Sequence, residues 1–187
     1  MNRTTTIELN GREYTLCYST RVVRSIENKF GCPGNMAQKM ESDSAIERTE
    51  TLLFVLCELI KAGAIFAEME RISNPKPLSL DELHLYYPIM HPRIVAEKIK
   101  EAITLGAAVS SEIKEIKVKG KKPQKKLKMN SDRYIWYGLH IGLDYNTTLD
   151  IPHGELLSLI QEQQIQNGTA EEVIKNEDDD PIPSDWE

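Results

Sequence analysis

The chain has 187 residues, 40% of them apolar and 28% charged, which fits a globular protein with a real core and excludes collagen-like, membrane-embedded and wholly disordered classes. Its length suggests one domain with an appendage, or two small ones. The formal charge of -6 argues against a nucleic-acid or anionic-membrane binder, yet it is unevenly spread. Residues 114–128 hold eight lysines against Glu115, a local +7, and residues 171–187 hold eight acids against Lys175, a local -7. These two segments cancel, so a mildly acidic body carries the net charge.

Ile7 to Tyr18 alternates apolar and polar residues around Asn10-Gly11, the dipeptide that best tolerates a two-residue hairpin turn, and predicts a β-hairpin. Ser19 or Thr20 caps a helix with Val22, Val23, Ile26 and Phe30 on one stripe, and Gly31 stops it. Cys32-Pro33-Gly34-Asn35 reads as a turn. Ser44-Ala45-Ile46-Glu47 is a capping box that opens a helix running to about Glu70. In that helix Leu52, Val55 and Leu59 widen the apolar stripe to most of the circumference. It is therefore expected to be central, with one side free for self-association or partner capture.

Pro75 and Pro77 break the chain, and a second capping box at Ser79-Leu80-Asp81-Glu82 starts a short helix that ends near Pro88. Pro92 opens a helix with Val95, Ile99, Ala102, Ile103, Gly106 and Val109 inward. Residues 114–130 then read as a flexible lysine-rich linker, which sets the boundary of a first domain at 1–113. A helix follows from Ser131, with Ile135, Leu139 and Leu143 on one face. A loop is expected over 146–150, and a last helix from Pro152 presents Leu156, Leu157, Leu159 and Ile160. Residues 131–170 thus form a small helical extension module, near the lower size limit for a core of its own and so expected to fold against the first domain or only under a partner, and 171–187 a disordered acidic tail. The fold class is mainly α with an N-terminal β-hairpin.

Glycine-rich phosphate loops, nucleophile elbows and paired-cysteine zinc patterns are missing, so neither enzyme, cofactor nor metal chemistry is indicated. His84, His91, His140 and His153 are scattered and read as packed or solvated side chains. Cys57 reads as a small core residue, and the odd count of three cysteines points to reduced thiols in a cytosol. No signal-peptide pattern opens the chain. The window 52–67 is too short and too charged for a bilayer, so no membrane is expected. Lysine without arginine or interleaved aromatics is a poor base-contacting pattern, which makes nucleic acid an unfavoured partner and a solvated linker the plainer reading. Tyr134, Trp136 and Tyr137 read first as the core of the small unit and second as a partner surface.

The order and spacing of these elements resembles the tail assembly chaperones of long-tailed bacteriophages and prophages, especially those of Gram-positive hosts. The resemblance rests on the Asn10-Gly11 hairpin with Tyr14-x-Leu16 and the helix ending Ile26-Glu27-Asn28-Lys29-Phe30-Gly31. It continues through the long apolar helix, Leu78-Ser79-Leu80-Asp81-Glu82-Leu83 and Ile99-Lys100-Glu101-Ala102-Ile103. Trp136-Tyr137-Gly138-Leu139 with Leu149-Asp150-Ile151-Pro152-His153-Gly154-Glu155-Leu156 looks like the extension of the longer forms. The resemblance implies a non-enzymatic protein of the host cytoplasm, missing from the virion, that binds the tape measure protein, keeps it soluble and recruits the major tail tube protein. It also implies that the long form arises by ribosomal frameshifting, here near Lys121-Lys122 or Lys125-Lys126. On that reading Leu52, Val55 and Leu59 face the tape measure protein, and Trp136, Tyr137, Leu139, Leu156, Leu159 and Ile160 face tube subunits. The alternatives are a nucleic-acid-associated or regulatory protein that uses the lysines, and a tail completion protein.

Overall fold

The computed structural model describes residues 3–86, 91–115 and 129–173. The linker lysines beyond Lys114, the proposed frameshift positions and the tail beyond Val173 lie outside them. The chain opens with an antiparallel hairpin of β1 (Thr4–Leu9) and β2 (Arg12–Cys17), in register from Thr4↔Cys17 to Leu9↔Arg12. Asn10 and Gly11 both take positive φ, 50° and 69°, as a mirror-image two-residue turn requires.

Helix α1 (Thr20–Phe30) buries Val22, Val23 and Ile26 and closes at Gly31, where φ is 80° and the amide bonds to the Glu27 carbonyl at 2.8 Å. The turn expected at 32–35 is instead the start of helix α2 (Pro33–Met40). Proline at the first helical position sacrifices no hydrogen bond, and Met36 and Met40, four residues apart, are buried.

Helix α3 (Ala45–Met69) is the centre of the body. Its first turn departs from the expected reciprocal box. Ser44 Oγ accepts the Glu47 amide at 3.4 Å, but the Glu47 carboxylate turns to Lys39 and to Ser42 Oγ. At Ser79 both arms form: Glu82 Oε2 accepts the Ser79 amide at 2.7 Å, and Ser79 Oγ accepts the Glu82 amide at 3.2 Å. Helix α4 (Leu80–Tyr86) follows, then helix α5 (Pro92–Ala107), which buries Val95, Ile99, Ala102 and Gly106.

The hairpin lies directly on α3 and fixes a glycine there. A Cβ at Gly63 would meet the Thr15 carbonyl oxygen at 1.8 Å, so no larger residue allows this approach. Tyr14 and Leu16 from the hairpin join Leu52, Leu53, Val55, Leu56, Leu59 and Ile60 of α3 in one cluster with α1, α2, α4 and α5 residues.

Beyond α5, strand β3 (Ile113–Glu115) pairs antiparallel with strand β4 (Ala170–Glu172). Glu171 and Glu172, read as the start of a disordered tail, are thus in a strand, and Lys114 and Glu115, read as linker, pair with it. Between them lie α6 (Ser131–His140), α7 (Tyr145–Asp150) and α8 (His153–Gln166). Helix α7 replaces the loop expected at 146–150. Asp144 Oδ1 accepts the Asn146 and Thr147 amides, both at 3.0 Å, and this cap offsets the poor helix propensity of Asn-Thr-Thr. Ile151, Leu156 and Ile160 form a second buried cluster, with Tyr134, Tyr137, Ile141 and Leu143 half-buried around it.

These three helices pack against α1 and α5. The His153 amide donates to the Tyr18 carbonyl at 2.8 Å, and Arg21 grips Asp150 through Nε at 2.6 Å and a terminal guanidinium nitrogen at 3.0 Å.

Candidate partner-binding surface

The nine residues expected to meet partners divide sharply by burial. Leu52, Val55 and Leu59 are at most 2% exposed, because the hairpin, α1, α2, α4 and α5 together enclose α3. The side of that helix expected to be free at these three residues is covered, and its exposed large apolar residues, Ile46 and Met69, lie at its ends. Leu156 and Ile160 also point inward, at the centre of the second cluster, so they support the surface rather than form it.

Trp136, Leu139 and Leu159 are exposed by 51%, 45% and 39%. Trp136 belongs to the outer face of α6, which corrects the first reading of it as core. Asp132, Trp136, Leu139 and His140 are all exposed, and their helical spacing places them on one face. The His140 ring lies 3.7 Å from the Trp136 ring at a 32° tilt, and the half-buried Tyr137 ring meets Trp136 edge-on at 5.0 Å. These neighbours restrict the indole rotamers before anything binds. Beneath the stripe, Ile135 and Gly138 face inward; a Cβ at Gly138 would meet the Thr148 side chain at 2.3 Å. The α6–α7 contact is therefore close, and the stripe sits on a fixed base.

Sequence reasoning missed the exposed apolar residues of the body: Ile46, Met69, Ile72, Leu85 and Ile94. Ile94 stands in a cleft of about 260 Å³ lined also by Ile7, Leu9, Tyr86, His91 and Val95. A signal for it was present, since Ile94 falls off the Val95–Ile99–Ala102 stripe of α5 and so has no place in the core.

The polar groups are arranged for structure. His153 is buried, with Tyr134 edge-on at 4.6 Å, Tyr18 edge-on at 6.0 Å and Nδ1 3.1 Å from Thr20 Oγ. Burial pushes its pKa down to about 4, against a smaller upward pull from Glu27, so it is neutral at pH 7. Burial, reinforced by Asp150 and Glu155, pushes the Cys17 thiol up to about 12, and burial also raises Cys57. Neither thiol offers a thiolate nucleophile. Among the described residues, no group of three or more His, Cys, Asp or Glu side chains is placed to hold a metal ion. No described helix is long and apolar enough to cross a membrane.

The chain matches no protein-family model, no curated protein and no solved structure.

Proposed function

We propose that this chain is a non-enzymatic tail assembly chaperone of a long-tailed bacteriophage or prophage. It binds the tape measure protein in the host cytoplasm, keeps it soluble and recruits tail tube protein. The observation that carries the reading is the order of elements: the Asn10-Gly11 hairpin, α1 closing at Phe30-Gly31, the long α3, the Ser79-capped α4, α5, and then an extension with Trp136 exposed. A tryptophan and a leucine on one exposed helix face, already held by neighbouring rings, have the character of an interface anchor.

The two contacts fall on different parts of the chain. Tube subunits meet the α6 stripe of Trp136 and Leu139. With Leu52, Val55 and Leu59 enclosed, the apolar stripes of the tape measure protein are taken by exposed residues of the body, with Ile94 and its cleft as the assigned groove.

The test is pull-down from cells co-expressing the full-length chain with the tape measure and tube proteins of the same genome. The double variant Trp136→Ala, Leu139→Ala should lose the tube protein and retain the tape measure protein. Ile94→Glu should do the reverse. Loss of both partners in each variant, or of neither, overturns the two-site assignment.

A further inference from the structure

Helices α6–α8 meet the body across a seam crossed by polar contacts beside the Tyr18–His153 ring contact. The buried apolar side chains form two separate clusters, one of the hairpin and α1–α5, the other of Ile151, Leu156 and Ile160. Between them run the Arg21–Asp150 pair, the His153 amide to the Tyr18 carbonyl, and the Ser131 amide to Glu27 Oε2 at 2.9 Å. Ser158 Oγ accepts the Ser110 amide at 3.0 Å and an Arg3 guanidinium N–H at 3.1 Å. Arg3 also donates to the Ala108 carbonyl.

Two ion pairs cross this seam, Arg21–Asp150 and a longer one between Arg24 and Asp132 at 3.9 Å. Closure also leaves a local cost: Ser19 Oγ is buried at the seam, beside the Ser19↔Pro152 bridge, with no hydrogen-bond partner. The ends of the extension lie together, because Glu115 pairs with Ala170 in the β3–β4 ladder. Two ends joined at one edge and a polar face opposite make a hinged flap.

We infer that α6–α8 open from the α1–α5 face as one cooperative unit about the β3–β4 ladder while the α3 core stays folded, with Arg21–Asp150 as the latch. The apolar cluster of the flap travels with it, so opening breaks hydrogen bonds and ion pairs that water and salt replace, and parts the His153 ring from Tyr18. The inference stands apart from the chaperone reading, because it is tested on the isolated chain.

The experiment is hydrogen exchange on the full-length protein, followed segment by segment. Amides of α6–α8, including Ser131 and His153, should exchange together and faster than those of α3. Asp150→Asn should speed the flap amides by about ten-fold and leave α3 unchanged. Raising salt to about 1 M on the wild-type chain should act in the same direction by roughly three-fold. Equal protection of flap and α3, with both responding together, would show a single cooperative unit and overturn the inference. So would acceleration confined to α7. If Asp150→Asn also unfolds the core, the salt series on the wild-type chain decides.

Discussion

Acidification should destabilise this fold through His153. The imidazole is buried between Tyr18 and Tyr134, and its pKa falls from an ordinary 6.5 to about 4 because the charged form loses its water. Between these values the unfolded chain binds the proton and the folded chain does not. The stabilising contribution is therefore fully present above about pH 6.5, declines as pH falls, and is gone below about pH 4. That displacement corresponds to about 3 kcal/mol in full, of which about 2 kcal/mol is lost between pH 7.5 and pH 5. Urea unfolding of wild type and His153→Phe at both pH values measures it. Phenylalanine keeps the edge-on ring contacts and orphans Thr20 Oγ, a penalty that does not vary with pH. Wild type should lose about 2 kcal/mol more than the variant on acidification, with unchanged m-values. Equal losses would refute the claim that the site excludes the imidazolium.

Three further outcomes follow from the same geometry. Gly63→Ala gains about 1 kcal/mol of helix propensity but drives a methyl into the Thr15 carbonyl, for a net loss of about 2 kcal/mol and a melting temperature lower by roughly 4–8 °C; a more stable variant would separate hairpin from helix. Trp136→Ala with Leu139→Ala should change unfolding free energy by less than about 1 kcal/mol, since both side chains are exposed; a larger loss in urea unfolding would return them to the core. Replacing the eight lysines of 114–128 by glutamine should leave partner capture intact, whereas loss of capture together with salt-sensitive binding would favour the nucleic-acid reading.

Local chemistry made most elements legible in the sequence. The hairpin follows from two residues that accept positive φ, α1 from its stripe and the Gly31 stop although the expected Ser19 cap makes no hydrogen bond, α4 from its capping box, and α5 from its opening proline and stripe. Helices α2 and α7 were hidden because Cys-Pro-Gly-Asn and Asn-Thr-Thr have turn-like composition. Tertiary burial of Met36, Met40, Thr148 and Leu149 overrides that preference.

The candidate site was legible only in part, and for a different reason. Periodicity reveals how wide an apolar face is but not what covers it, so Leu52, Val55 and Leu59 read as available when four helices and a hairpin enclose them. The small size of the extension left docking on the body or on a partner as its two readings, but the contacts that dock α6–α8 were invisible. Arg21 and Asp150 lie 129 positions apart, and nothing local to either announces the other. Trp136 was legible as a candidate but read first as core; its place beside rather than on the apolar stripe of a short helix is the signal that it has little core to enter.

The central claim is capture of the tape measure protein, and its most direct measurement is the soluble yield of that protein when expressed with and without the full-length chain. The account predicts that the tape measure protein aggregates alone, and that it is recovered from the supernatant as a complex when the chain is present. A tape measure protein that stays insoluble beside abundant folded chain, with none retained on it in pull-down, would contradict the account.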